Sequence, residues 1–594
     1  MIHTKDHKNM PLLDPWEFLG PKRRKLMERS WAGLFRKHIL NQLPVSKLKP
    51  FFSAGFGRPT KELYSIAGAI VLQQMHDLSD EQTVCQVAFN QQWHYALDIT
   101  STSDQATYLC EKTLWNFRTI MTRNNLDAEI FNRTTEKLAQ VFSVATEKQR
   151  LDSVHIKSNM RHLSRIGIFA RSIHRFLINL QRHYHDRLAQ VASETADRYL
   201  SPKALGCFSM VKPSESATTL EQVSRDLFSL VQLFSADRQV RAMHSYKLLE
   251  RVLREQCTVV ESNDDAPAPV TVKAPRQIGQ DSLQNPSDPD AGYSSHKGKG
   301  YHVQIMETYT EETDPEKKSQ QLNLITHVAV EPASAHDANA LLPAIASTQA
   351  RGLEPEQVLC DAAYGGEDNC QAAREQGVKI VSPVMGTAEK THGLVSFTFG
   401  DQGQVLHCAQ GQTPLKVKKH KGRHSAAFSA EHCSRCPFVS QCNVKKGKKH
   451  YHLHYDDKAR RCAQRRAHEQ TDAFKDRYRW RAGVEATMSE YDRRTGVKQL
   501  RVRGLQAVRF CAVLKAVAVN IFRATAVTVA RARHHEPGQA VNPAQIGLMY
   551  VFKEQCLLFW GMISCFFMSG PKICVFQTLR FWFNKNQKLD AVAL

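Results

Sequence analysis

The chain reads as a mixed α/β protein built on a central sheet and preceded by an all-helical region. Runs rich in β-branched residues at GYHVQIMET (300 to 308) and LNLITHVAVE (322 to 331) predict strands. Alternation of helix and strand patterns through HDANALLPAIAS, EQVLCDAAYGG and NCQAAREQGVKIVSP predicts an α/β layout. Apolar residues at helical spacing in LYSIAGAIVLQQMHDL and EKTLWNFRTIM predict helices before the sheet. At 594 residues, with 42% hydrophobic and 23% charged content, the chain has core material for several domains.

In order along the chain, residues 33 to 145 read as a helical N-terminal domain, broken at Gly57-Arg58-Pro59 and near Ser101-Thr102-Ser103. Its helices fit a helix-turn-helix and a plain helical bundle equally well. RLDSVHIKS (150 to 158) alternates like a strand and opens the α/β part, which runs from 146 to 530. A helical insertion rich in Leu, Phe and Arg follows at 160 to 255. Residues 261 to 292 contain five prolines and few large apolar groups, the composition of a linker or disordered loop. From 384 to 455 the periodicity dissolves into basic and polar segments with a cysteine cluster. Helices are expected again at 456 to 494 and 504 to 530, and residues 531 to 594 form an atypical apolar tail.

Charge narrows the function classes. The net charge is +22, and between Gly411 and Phe510 stand 25 Lys and Arg against 9 Asp and Glu, so +16 of the excess lies in that stretch. A basic surface this concentrated points to a polyanion, most often nucleic acid. The N-terminus lacks the apolar run of a signal peptide, and QCLLFWGMISCFFM (555 to 568) is too short to span a bilayer. No membrane association and a cytoplasmic location are therefore expected. Fifteen scattered cysteines fit reduced thiols with one metal cluster better than a disulfide framework. A Walker-type phosphate loop is absent, so nucleotide hydrolysis is not indicated.

Three acidic residues are conspicuous. Asp152 lies in the first strand, Asp361 ends a later strand before Ala-Ala-Tyr-Gly-Gly, and Glu485 lies in YRWRAGVEATMSEYDRR (478 to 494). A strand end feeding a glycine turn presents its side chain at the rim of a sheet, where ligand chemistry in α/β folds is placed. In a continuous helix, Tyr478, Arg481, Glu485 and Asp492 would share one face. Hard divalent cations take oxygen ligands, so two or three carboxylates are the expected protein share of a two-metal phosphodiester site.

The chain resembles bacterial insertion-sequence transposases of the DDE type, in the branch whose last acidic residue lies in a Y-x2-R-x3-E-x6-K motif. Tyr478, Arg481 and Glu485 carry the resemblance, together with LDSVHIKSN around Asp152, DPDAGYSSHKGKGYHVQIMET, DAAYGG at Asp361, GVKQLRVRG, and GRPTKELYSIAGAIVLQQMHDLSDEQT in the N-terminal region. It implies an RNase H-like mixed sheet with flanking helices, and Asp152, Asp361 and Glu485 as catalytic ligands of Mg²⁺ (or Mn²⁺). It also implies cleavage of double-stranded DNA at terminal inverted repeats, strand transfer into target DNA, and a homodimer in the DNA complex. Tyr478 and Arg481 would hold DNA phosphate. Asp492 stands where the family has lysine, and the adjacent Arg493 and Arg494 would supply that cation. A transposase-derived DNA-binding protein that has lost catalysis is the alternative function.

Cys433-x2-Cys436-x5-Cys442, with Cys408 upstream, reads either as a structural Zn²⁺ site or as reduced thiols in a loop-rich insertion. His407, His432 and His450 would be substitute ligands. His302 and His327 are expected as packed histidines, Asp337 as a helix N-cap, and HKGKG (296 to 300) as a turn into a strand.

Overall fold

In the computed structural model the described residues are 1–7, 9, 13–201, 206, 208, 210–259, 270–386 and 392–534. Met1–Ala530 forms one compact unit. The apolar tail expected at 531 to 594 lies outside the described residues except for 531–534, which end the last helix.

The N-terminal region is helical, with α1 (Leu63–Met75) at its centre and α2 (Leu126–Phe142) as its longest helix. Eleven of the thirteen α1 residues are buried, so it carries no polar face. The central sheet follows. β1 (Lys148–Lys157) lies between the antiparallel β3 (Gly298–Thr308) and the parallel β5 (Gln357–Cys360). The short β2 (Gly292–Ser294) and β4 (Ile325–Pro332) pair with β3, and β6 (Lys379–Val381) runs parallel to β5. The sheet is thus mixed, antiparallel on one side of β1 and parallel on the other.

Alternation along the strands sends side chains to two cores. Val154, Ile156, Val303 and Ile305 join the N-terminal helices, α6 (Gly483–Thr495) and α7 (Leu505–His534) in one apolar cluster. Leu151, Met306, Val358 and Cys360 face α3 (Leu341–Gln349) and α4 (Glu367–Glu375) in another. The helical N-terminal region therefore shares its core with one face of the sheet. α7 is long and apolar enough to cross a membrane, yet 78% of its most apolar window is buried inside the protein. Its buried Lys515 reaches Asp77 beyond the end of α1 at 2.8 Å.

Two expectations need correction. The linker expected at 261 to 292 is in part core: residues 282 to 285 are buried, Asp288 has no exposed surface, and its Oδ1 accepts from the Tyr301 hydroxyl at 2.5 Å and the Gly504 amide at 3.0 Å. Proline content hid this, because hydrogen bonds rather than apolar bulk anchor the segment. Within that range, residues 260 to 269 lie outside the described residues.

The irregular insertion expected at 384 to 455 contains a four-stranded antiparallel sheet: β7 (Lys416–His420), β8 (Arg423–Ser429), β9 (Lys445–Lys446) and β10 (His450–Asp456). Its outer face carries His, Lys and Ser, so the period-2 pattern has weak apolar contrast. The helices expected at 456 to 494 are α5 (Asp457–Glu469), a helix at Asp472–Tyr478 and α6, with a 3-10 turn at Arg479–Ala482 between the last two. The expected helical insertion at 160 to 255 forms several helices around an apolar cluster of their own.

Candidate active site

Register places the first two acidic residues. β1 and β5 run parallel with Leu151 opposite Cys360, so the next residue of each chain, Asp152 and Asp361, stand at neighbouring positions where the pairing ends. Asp361 opens a turn, accepting from the Ala362 amide at 2.5 Å through Oδ1 and from the Tyr364 amide through its carbonyl. Tyr364 is buried and donates to Gln304 on β3 at 2.6 Å, fixing the turn to the sheet. Gly365 is needed there because a Cβ would stand 1.5 Å from Ser382 Oγ.

Glu485 arrives on α6. Val484, Thr487, Met488, Tyr491 and Thr495 form the buried stripe of this amphipathic helix, which leaves Glu485 on the opposite face with its side chain 74% exposed. A buried ionic network anchors the helix: Thr487 Oγ1 donates to Glu307 of β3 at 2.8 Å, and Arg150 of β1 donates to Glu307 at 2.7 Å and to the Trp480 carbonyl at 2.8 Å. Arg523 of α7 also reaches Glu307 and Glu490.

One guanidinium stands among the three carboxylates. Arg481 Nη2 donates to Asp152 Oδ2 at 3.0 Å and lies 3.9 Å from Asp361 Oδ2, and its Nη1 lies 3.7 Å from Glu485 Oε1. The three acids, distant in sequence, therefore share one neighbourhood. Burial raises the Asp152 carboxyl above the ordinary carboxylate range; Arg481 opposes that rise and the nearby Asp361 adds to it. Burial also pushes the Tyr478 hydroxyl up to about 12, with Arg481 opposing. Tyr478 stacks on Phe474 at 5.4 Å between ring centroids.

Asp492 does not join this group. It accepts from the Lys498 amide at 3.2 Å and pairs with the Lys498 ammonium at 3.5 Å, closing the turn after α6. Glu485 and Asp492 belong to the same unbroken helix, but seven residues is about 10 Å along its axis, so Asp492 stands two turns beyond the carboxylates. Arg494 is committed to Glu490 at 2.9 Å and to the Phe522 ring. Arg493 is exposed and has no ion pair among the described residues.

Among the described residues no three His, Cys, Asp or Glu side chains form a ready-made metal site. The three carboxylates nonetheless match hard cations in donor chemistry, since every donor is oxygen. Cys408, Cys433, Cys436 and Cys442 gather in the insertion: burial, followed by its three cysteine neighbours, pushes the Cys433 thiol up to about 11. His407 and His432 are exposed, whereas His450 is half-buried.

Sequence reasoning missed Arg150, Glu307 and Lys297. The signal for Glu307 was a carboxylate inside an otherwise buried strand, YHVQIMET. Lys297 of HKGKG, expected only as a turn residue, donates to Ser153 Oγ at 3.2 Å beside Asp152. Asp337 lies just inside its helical turn, whose N-cap is His336, and accepts from Gln304 at 2.9 Å. His302 is buried opposite His155 of β1, with ring centroids 5.6 Å apart, and burial pushes His327 down to about 4.

Two parts of the chain match known protein families. Residues 407–525 match a transposase DDE domain and residues 27–119 match a transposase domain (DUF772). These two matches support an insertion-sequence transposase of the DDE kind, an enzyme class that acts on DNA. The first match contains Tyr478, Arg481 and Glu485, and the segment holding Asp152 and Asp361 lies between the two. No curated protein matches the chain.

Proposed function

We propose that the protein is an active DDE transposase with an RNase H-like core that cleaves the ends of an insertion sequence and joins them to target DNA. The convergence of Asp152, Asp361 and Glu485 on Arg481 carries this reading, because three carboxylates from three separate elements meet at the rim of a mixed sheet. The sheet order, with antiparallel strands on one side of β1 and parallel strands on the other, supports the fold assignment.

Asp152, Asp361 and Glu485 would hold Mg²⁺ or Mn²⁺. When bound, such ions stabilise the attacking and leaving oxygens of a phosphodiester displacement. Exposed Glu485 has room to move, whereas half-buried Asp152 is held in place by its strand. Arg481 offsets part of the negative charge of the three carboxylates, and with Tyr478 it contacts DNA phosphate once DNA is seated. The N-terminal helices and the basic insertion would bind the terminal repeats, in a homodimer bridging two ends. Cys408, Cys433, Cys436 and Cys442 would be the donors for a structural zinc.

The test is cleavage of DNA carrying the repeats that flank the coding region, with Mg²⁺ present, by the unaltered protein and by Asp152→Asn, Asp361→Asn and Glu485→Gln. Cutting and joined products from the unaltered protein alone, with DNA binding retained by all four, are expected. Equal cutting by a carboxylate variant would remove that residue from the site. Salt-sensitive binding without cutting by any of them would reject the active reading.

A further inference from the structure

We infer that the outer face of the β7–β8–β10–β9 sheet is a contact surface for the phosphate backbone of duplex DNA, an inference that rests on the transposase reading and adds a site to it. Pairing defines the face. Lys445 lies opposite His452, His452 opposite Ala427, and Ala427 opposite Lys416, forming one row across four strands. In the next row His454 lies opposite Ser425, and Ser425 opposite Lys418. Directly paired residues project from the same side of a sheet.

The opposite side is occupied. His424, Ala426, Phe428, Leu453 and Tyr455 are buried there, with Leu394, Phe397 and Ala463 in the same cluster. The outer side has a floor of small residues, Ser425, Ala427 and Ser429, between edges of exposed lysine. His452 and His454 stack along β10 with ring centroids 5.9 Å apart. Among the described residues, Lys416, Lys418, Arg423 and Lys445 form no ion pair. The one carboxylate of the face, Asp456, caps α5 by accepting from the Ala459 amide.

Edge lysines also protect sheets from pairing edge to edge. That role accounts for Lys416, Lys418 and Lys445 but not for the histidine ladder on the inner strand or for the floor of small residues. Strands about 4.8 Å apart place the two lysine edges about 14 Å from each other, close to the roughly 12 Å width of the DNA major groove. Phosphates on both sides of a groove then come within reach of long lysine side chains, and the imidazoles face the duplex between them.

The face is also coupled to the candidate active site. β10 runs directly into α5, where Arg461 pairs with Glu367 at 2.6 Å and Arg465 donates to the Gly365 carbonyl at 2.9 Å. Both partners belong to the turn and helix that follow Asp361. DNA held on the sheet is therefore held in a set relation to that carboxylate.

The test compares Lys416→Gln/Lys418→Gln with Lys317→Gln/Lys318→Gln, which removes equal charge from another exposed segment. Binding of a random-sequence DNA duplex is measured across a salt series in the full-length protein. Each lost phosphate contact lowers the log–log salt slope by about 0.9, so the sheet variant should lose about 1.8 in slope and roughly 50-fold in affinity near 0.1 M salt. Lys416→Arg/Lys418→Arg, which keeps the charge, should bind as the unaltered protein does. Unchanged slope in the sheet variant, or equal loss in the Lys317/Lys318 control, overturns the inference while the transposase reading stands. Failure of the unaltered protein to bind duplex at any salt overturns both.

Discussion

Arg150 donates from Nε to Glu307 at 2.7 Å, and Glu307 has no exposed surface. The pair joins β1, two residues before Asp152, to the strand that Thr487 of α6 and Arg523 of α7 also grip. Arg523 and Thr487 still hold Glu307 when Arg150 is removed, so the loss is that of a hydrogen bond to a charged group, about 1.5–3 kcal/mol. Arg150→Met should therefore destabilise the protein by that order, measured by denaturant unfolding. A loss below about 1 kcal/mol, the range of surface pairs, would mean that the network is hydrated rather than dry.

Gly483 opens α6 against the same arginine: a Cβ there would stand 2.1 Å from Arg150 Nη1. Gly483 has ordinary helical backbone angles, so space and not conformation demands glycine. Gly483→Ala should cost about 1–3 kcal/mol through overpacking. The double-mutant cycle is the sharper measurement, because in an Arg150→Met background the alanine should be nearly free. An equal cost in both backgrounds would trace the effect to something other than Arg150.

Arg481 shares its charge among three carboxylates, and this predicts competition with any bound cation. Unit charges about 4 Å apart interact by about 1 kcal/mol in water and about 4 kcal/mol near a protein surface. Arg481→Met should thus tighten Mn²⁺ binding at least several-fold in calorimetric titration, even as the loss of a phosphate contact weakens DNA binding. Mn²⁺ affinity that is unchanged or lower would show that the arginine organises the carboxylates instead of opposing the ion.

The N-terminal segment contains a pH-dependent clamp. His7 lies buried with Nδ1 3.0 Å from Asp98 Oδ2 and Nε2 3.4 Å from Glu62 Oε2. Burial works against its charge, but the hydrogen bond to Asp98 and the two nearby carboxylates, Asp98 and Glu62, outweigh it and push its pKa up to about 9. Because the folded value lies above the ordinary value near 6.5, the stabilisation is complete below about pH 6.5 and is lost as the pH rises through 9. Above the carboxylate range, the gap in melting temperature between the unaltered protein and His7→Gln should be widest near pH 6 and close by about pH 10. A gap constant with pH would mean that His7 acts through packing alone.

Strands were legible where β-branched residues alternate, as in GYHVQIMET, and helices where apolar residues recur every three or four positions, as in α1. Asp361 was legible because a strand end before Gly365-Gly366 exposes its side chain. The four-stranded sheet was not, because its outer face of His, Lys and Ser differs little in polarity from a loop. Residues 282 to 291 read as linker because their anchoring is polar and long-range: Asp288 is held by Tyr301 and Gly504.

By itself the sequence determined the local chemistry: the basic stretch, the identities of Asp152, Asp361 and Glu485, and the Arg481–Glu485 spacing that places them four residues apart. Only the tertiary structure decided that the three acids share a neighbourhood, since that depends on the register of β1 with β5 and on the seating of α6 by Arg150 and Glu307. It also decided that Asp492 turns away toward Lys498. Spacing carries information across a turn or two of helix, whereas contacts between residues hundreds of positions apart are settled by which packing buries the core and pairs its charges.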